Sequence, residues 1–164
     1  MKVIIALLLA AMSHLSTAQN SITTFILLRH AEKATDGTKD PDLTEAGKKR
    51  AESLAKLLAS TKIDAVYSTH FKRTQNTVAL LAQAHSLSIL NYDGSKMEEI
   101  DSMLTKFSGR TIVLSGHSNT TPAIINYLTS HKDEFKTFDD SDYGNLLIVS
   151  VVRKGEAKVT WLRF

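Results

Sequence analysis

Two histidines and two arginines, set at or just beyond the ends of apolar segments, are the residues of this sequence best suited to chemistry. The first group closes the stretch Phe25-Ile-Leu-Leu-Arg-His-Ala-Glu32, where an aliphatic run stops abruptly at Arg29, His30 and Glu32. A run so short and so aliphatic reads as an interior strand of an α/β sheet, and in such sheets ligands bind beyond the carboxyl ends of the strands. His30 then stands at the ligand edge. The competing reading of these eight residues is an ordinary polar loop after a strand. A second apolar run, Thr111-Ile-Val-Leu114, also leads to a histidine, within Ser115-Gly-His-Ser-Asn119, so two strands deliver imidazoles to one edge. Arg73 falls in the first turn of a helix, where the helix dipole disfavours a cation unless an anion sits close by. A zinc site built on His30 and His117 is the structural alternative, but no carboxylate or third histidine stands at ligand spacing, and two arginines would repel the cation.

The segments around these residues alternate between strand and helix patterns. Ala31 to Pro41 is rich in turn residues (Asp36, Gly37, Asp40, Pro41), and Leu43-Thr-Glu-Ala-Gly47 opens a helix capped by Thr44, with Ala51, Leu54, Ala55 and Leu58 at helical spacing. Lys48, Lys49 and Arg50 are expected on its solvated face, without a function. Ala65–Ser68 reads as a second strand. The helix from Lys72 carries Val78, Leu81, Ala82 and His85 on one face, so His85 is expected to be a satisfied core histidine, while His70 and His131 read as loop or surface residues. Ser88 to Tyr92 is a short third strand, and Ser95-Lys-Met-Glu98 has the spacing of a capping box, opening a helix that ends near Ser108-Gly109. Thr121 and Pro122 are placed as cap and first residue of the next helix, with Ile124, Ile125 and Leu128 as its apolar members. Leu146–Val152 and Ala157–Leu162 form a hairpin around Lys154-Gly-Glu156 that closes the sheet. This alternation predicts an α/β fold: a three-layer α/β/α sandwich with a mostly parallel sheet and an antiparallel strand near Leu146 to Val152.

Composition narrows the function classes. With 164 residues, two prolines and 43% hydrophobic content, the chain fits one globular domain with a sizeable core. A net charge of +3, from 20 basic and 17 acidic residues, is too slight and too scattered for a nucleic-acid surface, though it suits an anionic small molecule. The absence of cysteine excludes disulfides, thiolate metal sites, a cysteine nucleophile and a lipid-modified cysteine. Lys2, the apolar Val3–Met12 run and Ser16-Thr-Ala18 have the order of a secretory signal peptide. Residues 1–18 are therefore expected to be removed, leaving a domain over 19–164 in the periplasm or medium. The apolar run is about half of the ~20 residues a membrane span needs, so no stable membrane anchor is expected after cleavage.

Arg29-His30-Ala31-Glu32 after the first strand, Tyr67-Ser68 with Arg73 and Thr74 after the second, and Gly116-His117-Ser118 after the fourth together resemble the histidine phosphatase superfamily, also called phosphoglycerate mutase-like. The resemblance takes in Asp40-Pro-Asp-Leu-Thr-Glu-Ala-Gly47 and runs over nearly all of residues 19–164. It is strongest to the small, single-domain bacterial branch, alongside the phosphohistidine phosphatases. It implies a phosphoglycerate mutase-like fold and a secreted phosphomonoester hydrolase acting on a phosphorylated substrate of unnamed class. In that scheme His30 attacks phosphorus and forms a phosphohistidine that water hydrolyses. Arg29 and Arg73 match the phosphoryl oxygens with their planar forks. His117, as imidazolium, adds a further donor, so the two histidines need opposite protonation states. The scheme needs no metal and no cofactor.

The proton donor for the leaving group stays open. Many members of that family carry a glutamate on an insertion after the third strand, whereas the chain between Tyr92 and Arg110 has room for one helix and no lid. Glu98 and Glu99 occupy that place. Glu98 is expected in the capping box, which leaves Glu99 as the candidate donor beside the loop acids Asp36, Asp139, Asp140 and Asp142. Glu32 is expected to hold the site's arginines or loop, and counts with Asn119 as a candidate substrate-binding residue. Two rival functions are a phosphate-ester binding module that has lost turnover and a phosphoglycerate mutase-type phosphotransferase. The missing acid supports the first, and the secretion signal disfavours the second.

Overall fold

The computed structural model describes residues 21–164, so the signal-peptide expectation for residues 1–18 lies outside the described residues. Strand β1 (Thr23–Arg29) is apolar on both faces and buried on both. Phe25 and Leu27 point into one core, Ile26 and Leu28 into the other. Such two-sided burial forces a central position. β1 pairs in parallel with β4 (Thr111–Gly116) and antiparallel with β5 (Asn145–Arg153). β2 (Ala65–Ser68) lies parallel to β4 and to the edge strand β3 (Ile89–Asn91), while β6 (Glu156–Arg163) pairs antiparallel with β5. The strand order is β3-β2-β4-β1-β5-β6.

Helices α1 (Glu45–Leu57) and α2 (Lys72–Ala84) cover one face of the sheet through Leu54, Val78, Leu81 and Ala82. Helices α3 (Met97–Lys106) and α4 (Thr120–Thr129) cover the other through Ile100, Met103, Ile124, Ile125 and Leu128. This is the three-layer α/β/α sandwich with a mostly parallel sheet. Its parallel strands β1, β2 and β4 end at one edge, and antiparallel β5 brings its amino end there, with Leu28 opposite Leu146. Four chain segments therefore converge beyond that edge. Among the described residues no helix is long and apolar enough to cross a membrane.

Local capping partly departs from the sequence pattern. Thr44 does cap α1, its hydroxyl accepting from Gly47 N at 3.1 Å. Ser95 does not cap α3: its hydroxyl and N–H both donate to Asp93 Oδ1, two residues back, and the cap position falls on Lys96 without a side-chain bond. A short acidic side chain two residues upstream outcompetes the helix end for that hydroxyl. Glu98, freed from capping-box duty, is exposed. Helix α4 starts at Thr120 rather than at Pro122, because Thr120 Oγ1 accepts from His117 N and Thr121 Oγ1 donates to Leu28 O. Pro122 then sits in the first turn, where a missing N–H costs nothing.

Candidate active site

The site begins with the β1–β4 register. Arg29 lies opposite Gly116, and His30 N donates to Gly116 O at 2.9 Å, so the ladder carries one step past both strands. His30 and His117 consequently face each other, ring centroids 5.6 Å apart at an interplanar angle of 67°. Gly116 is required between them. A Cβ there would stand 2.8 Å from the Tyr92 hydroxyl and 3.1 Å from the hydroxyls of Thr120 and Thr121.

His30 is 4% exposed, and its Nδ1 lies 2.8 Å from the Ala31 carbonyl. A carbonyl only accepts, so this contact assigns the proton to Nδ1 and leaves the Nε2 lone pair free. Thr77 fixes the same turn by accepting from Ala31 N and donating to Arg73 O. Burial, with Arg29 and Arg73 acting in the same direction, lowers the His30 pKa to about 4 against the raising effect of the Ala31 bond.

Arg29 is 3% exposed and has a structural duty as well as a chemical one. Its Nη1 donates to the carbonyls of Asp139 (2.7 Å) and Asp142 (3.2 Å), Asp140 lies 3.7 Å from Nη2, and the Tyr143 ring lies 4.3 Å from the guanidinium carbon. Arg73 stacks over Phe71 at 4.3 Å and stands 3.8 Å from Asp40. Asp40 also accepts from Lys72 N, so a carboxylate at the start of α2 offsets the dipole that Arg73 opposes. The Nε groups of Arg29 and Arg73 are both buried without a hydrogen-bond partner among the described residues. Buried cationic donors in that state call for an anion.

His117 meets Phe71 edge-on at 5.2 Å, and its Nε2 lies 3.0 Å from the Thr69 hydroxyl. Thr74 gives its one hydroxyl hydrogen to the carbonyls of Thr69 and Phe71, so Thr69 donates to Thr74 and accepts from His117. The surroundings of the two histidines push both rings the same way. Burial, then Arg73 and Arg29, also lowers His117 to about 4, so both rings are neutral at pH 7.

These groups, with Lys33, Phe71, Ser118, Asn119 and Asp140, line a cavity of about 360 Å³. Asn119 thus faces the cavity, and it makes no side-chain cap bond. Glu32 turns away: Arg50 of α1 grips its carboxylate from Nε and Nη2 at 2.7 to 3.1 Å and also donates to the Phe164 carbonyl. Arg50, the strongest hydrogen bond on that carboxylate, holds it well below the usual range. The substrate-binding part considered for Glu32 therefore does not match its position, and Arg50 belongs to this pair, not to a solvated face. Lys48 and Lys49 do face solvent.

The histidine phosphatase superfamily (branch 1) model matches residues 25–96, which hold Arg29, His30, Asp40 to Gly47 and Arg73. Residues 25–96 therefore resemble that superfamily's catalytic segment. The chain is 40% identical over 82 residues to phosphoserine phosphatase 1 of Hydrogenobacter thermophilus, a match that spans 46% of this chain and 38% of that relative. Among solved structures it resembles a mycobacterial glucosyl-3-phosphoglycerate phosphatase (TM-score 0.72, 11% identity, 87% of this chain and 98% of that one). It also resembles the protein histidine phosphatase SixA complexed with tungstate (TM-score 0.69, 15% identity, 85% and 96%).

Around this site, the acids considered for leaving-group protonation separate by position. Asp140 lines the cavity beside Arg29, and Glu99 lines an adjoining cavity that shares His117 and Phe71. Asp36 is exposed and turned onto Thr38, Asp142 is paired with Arg163, and Asp139 meets Arg29 only through its carbonyl. His85 is half-buried and bonded to the Leu58 carbonyl; His70 and His131 are exposed. Sequence reasoning missed Lys33, Phe71 and Tyr143. Phe71 carried a signal: an exposed aromatic at a cap position breaks two local preferences at once.

Proposed function

We propose that this protein hydrolyses phosphomonoesters through a phosphohistidine on His30, without a metal ion, after export. The observation that carries the reading is His30 Nε2, a free lone pair at a cavity whose other walls include the guanidinium groups of Arg29 and Arg73. The phosphoryl oxygens take the unpartnered Nε donors of the two arginines, whose charges offset the dianion. Nε2 then attacks phosphorus as the P–O bond to the alcohol breaks, the departing oxygen taking a proton from solvent. Water attacks the phosphohistidine, the N–P bond breaks, and inorganic phosphate leaves with His30 restored. The negative charge of the arriving dianion favours the imidazolium of His117, which takes up a proton from solvent and donates to the transferring group.

Release of phosphate from nitrophenyl phosphate by purified protein in excess chelator tests the reading. Turnover is expected to persist, because arginines neutralise the charge. Activity lost with chelator and restored by a divalent ion contradicts it, and tight phosphate binding without release assigns a binding module instead. Low histidine pKa values set the pH profile. Attack needs neutral His30, and its protonation is resisted down to about pH 4, so His30 should give kcat/KM, corrected for substrate ionisation, no acid limb until near pH 4. An acid limb centred on the ordinary histidine value of about 6.5 would refute the environment described for His30. Export is supported by the order Lys2, Val3–Met12, Ser16-Thr-Ala18, and a mature chain beginning at Gln19 outside the cytoplasm is the expected finding.

A further inference from the structure

Two cavities flank the phosphoryl site, and they differ in sign. One, of about 480 Å³, shares both Phe71 and His117 with it and is lined further by Asn91, Tyr92, Asp93 and Glu99. The other, of about 600 Å³ along α4, shares only Asn119 and is basic, with His131, Lys132, Lys136 and Lys154 against Asp133. The alcohol half of a phosphomonoester bound at His30 has room to extend into either.

In the smaller cavity most polar groups are already engaged. Asp93 Oδ1 accepts twice from Ser95 and its Oδ2 lies 3.8 Å from Lys96; Asn91 Oδ1 accepts from Gln75. Two groups remain. Glu99 receives the Asp93 N–H on Oε2 at 3.1 Å, and its Oε1 has no partner among the described residues. Tyr92 is 2% exposed, yet its hydroxyl reaches this cavity without a hydrogen-bond partner among the described residues. Burial and the Glu99 charge both push the phenol up, which keeps it a donor and places the carboxylate close to it. With Lys96 set against Asp93, the carboxylate left in this cavity is that of Glu99, and His70 is the other titratable group on its wall.

Resting on the phosphatase reading, we propose that this cavity is the leaving-group subsite and that it selects phosphoesters of small amino alcohols, whose ammonium group is taken by Glu99 Oε1 while Tyr92 donates to a neighbouring oxygen. A phenol reaching the cavity beside a half-used carboxylate matches a group bearing both donors and an acceptor. Glu99 is then an ionised anchor for the leaving group. The alternatives are a proton donor at Glu99 or an anionic leaving group lying in the basic groove along α4.

Non-hydrolysable phosphonates separate these outcomes without needing turnover. Affinities of the unmodified protein for 3-aminopropylphosphonate, butylphosphonate and 3-phosphonopropionate, measured by calorimetry, should fall in that order. A charge-assisted bond in a partly open cavity gives on the order of tenfold between the first two. In Glu99→Gln the amino and alkyl compounds should converge. Equal affinities in the unmodified protein, or 3-phosphonopropionate binding tightest, would overturn the proposal, the latter assigning the basic groove. So would a Glu99→Gln protein that keeps the tenfold preference. Nitrophenyl phosphate turnover is followed in parallel: the expected binding order without turnover retains the subsite and removes the phosphatase reading, whereas turnover without the order does the reverse.

Discussion

Replacing His30 by alanine is expected to abolish turnover and, with it, the base-stable, acid-labile phosphoryl label that a phosphorylated substrate leaves on the unmodified chain. The loss should be on the order of 10⁴-fold or more, because the covalent route through His30 closes entirely. His117 does not substitute: its Nε2 is tied to Thr69, and its ring stands 5.6 Å from that of His30. The structural cost is small by comparison. His30 makes one side-chain bond, to its neighbour Ala31, while the turn itself is held by Thr77 and by the backbone bond to Gly116. His30→Ala protein should therefore melt near the unmodified protein and still bind inorganic phosphate through Arg29 and Arg73. Binding without labelling is the signature of a missing nucleophile. Normal turnover and labelling in this variant would remove the mechanism.

The elements that position the site were legible because each is a local pattern. Phe25 to Leu28, Ala65 to Ser68 and Thr111 to Leu114 are short aliphatic runs followed at once by polar residues, which is how interior parallel strands read. The hairpin at Lys154-Gly155 follows equally local turn chemistry, with Gly155 at φ +85°. What escaped depends on residues distant in the chain. Arg50 looks like its lysine neighbours until the fold sets it against Glu32 and the carbonyl of Phe164. Gly47 is another case: a Cβ there would stand 2.3 Å from the Glu32 carbonyl, a contact between α1 and the loop after β1 that no period reveals. The protonation of His117 escaped for the same reason. Its charge is set by burial and by the fields of Arg29 and Arg73, which arrive from two other strand ends.

The two arginines are predicted to separate by stability although they share the chemistry. Alanine at either position removes one charge-assisted donor pair from the phosphoryl oxygens, which typically costs on the order of 10²–10³ in rate and leaves slow labelling of His30. Arg73 stacks on an exposed ring and faces a partly exposed carboxylate at 3.8 Å, so Arg73→Ala should leave the melting temperature almost unchanged. Arg29 is different. Its removal strips the carbonyls of Asp139 and Asp142 of their donor and takes the support from under Tyr143, so the segment entering β5 loses its tie to the end of β1. Leaving such groups unpaired costs about 2 kcal/mol, which for a domain of this size lowers the melting temperature by roughly 5 °C. Arg29→Lys should restore part of the rate through its charge and little of the stability, since one ammonium cannot reproduce the fork that spans two carbonyls and a phosphoryl oxygen. Calorimetric melting and labelling rates of the three variants decide the matter: equal melting temperatures for Arg29→Ala and Arg73→Ala would show that the 139–143 segment does not depend on Arg29.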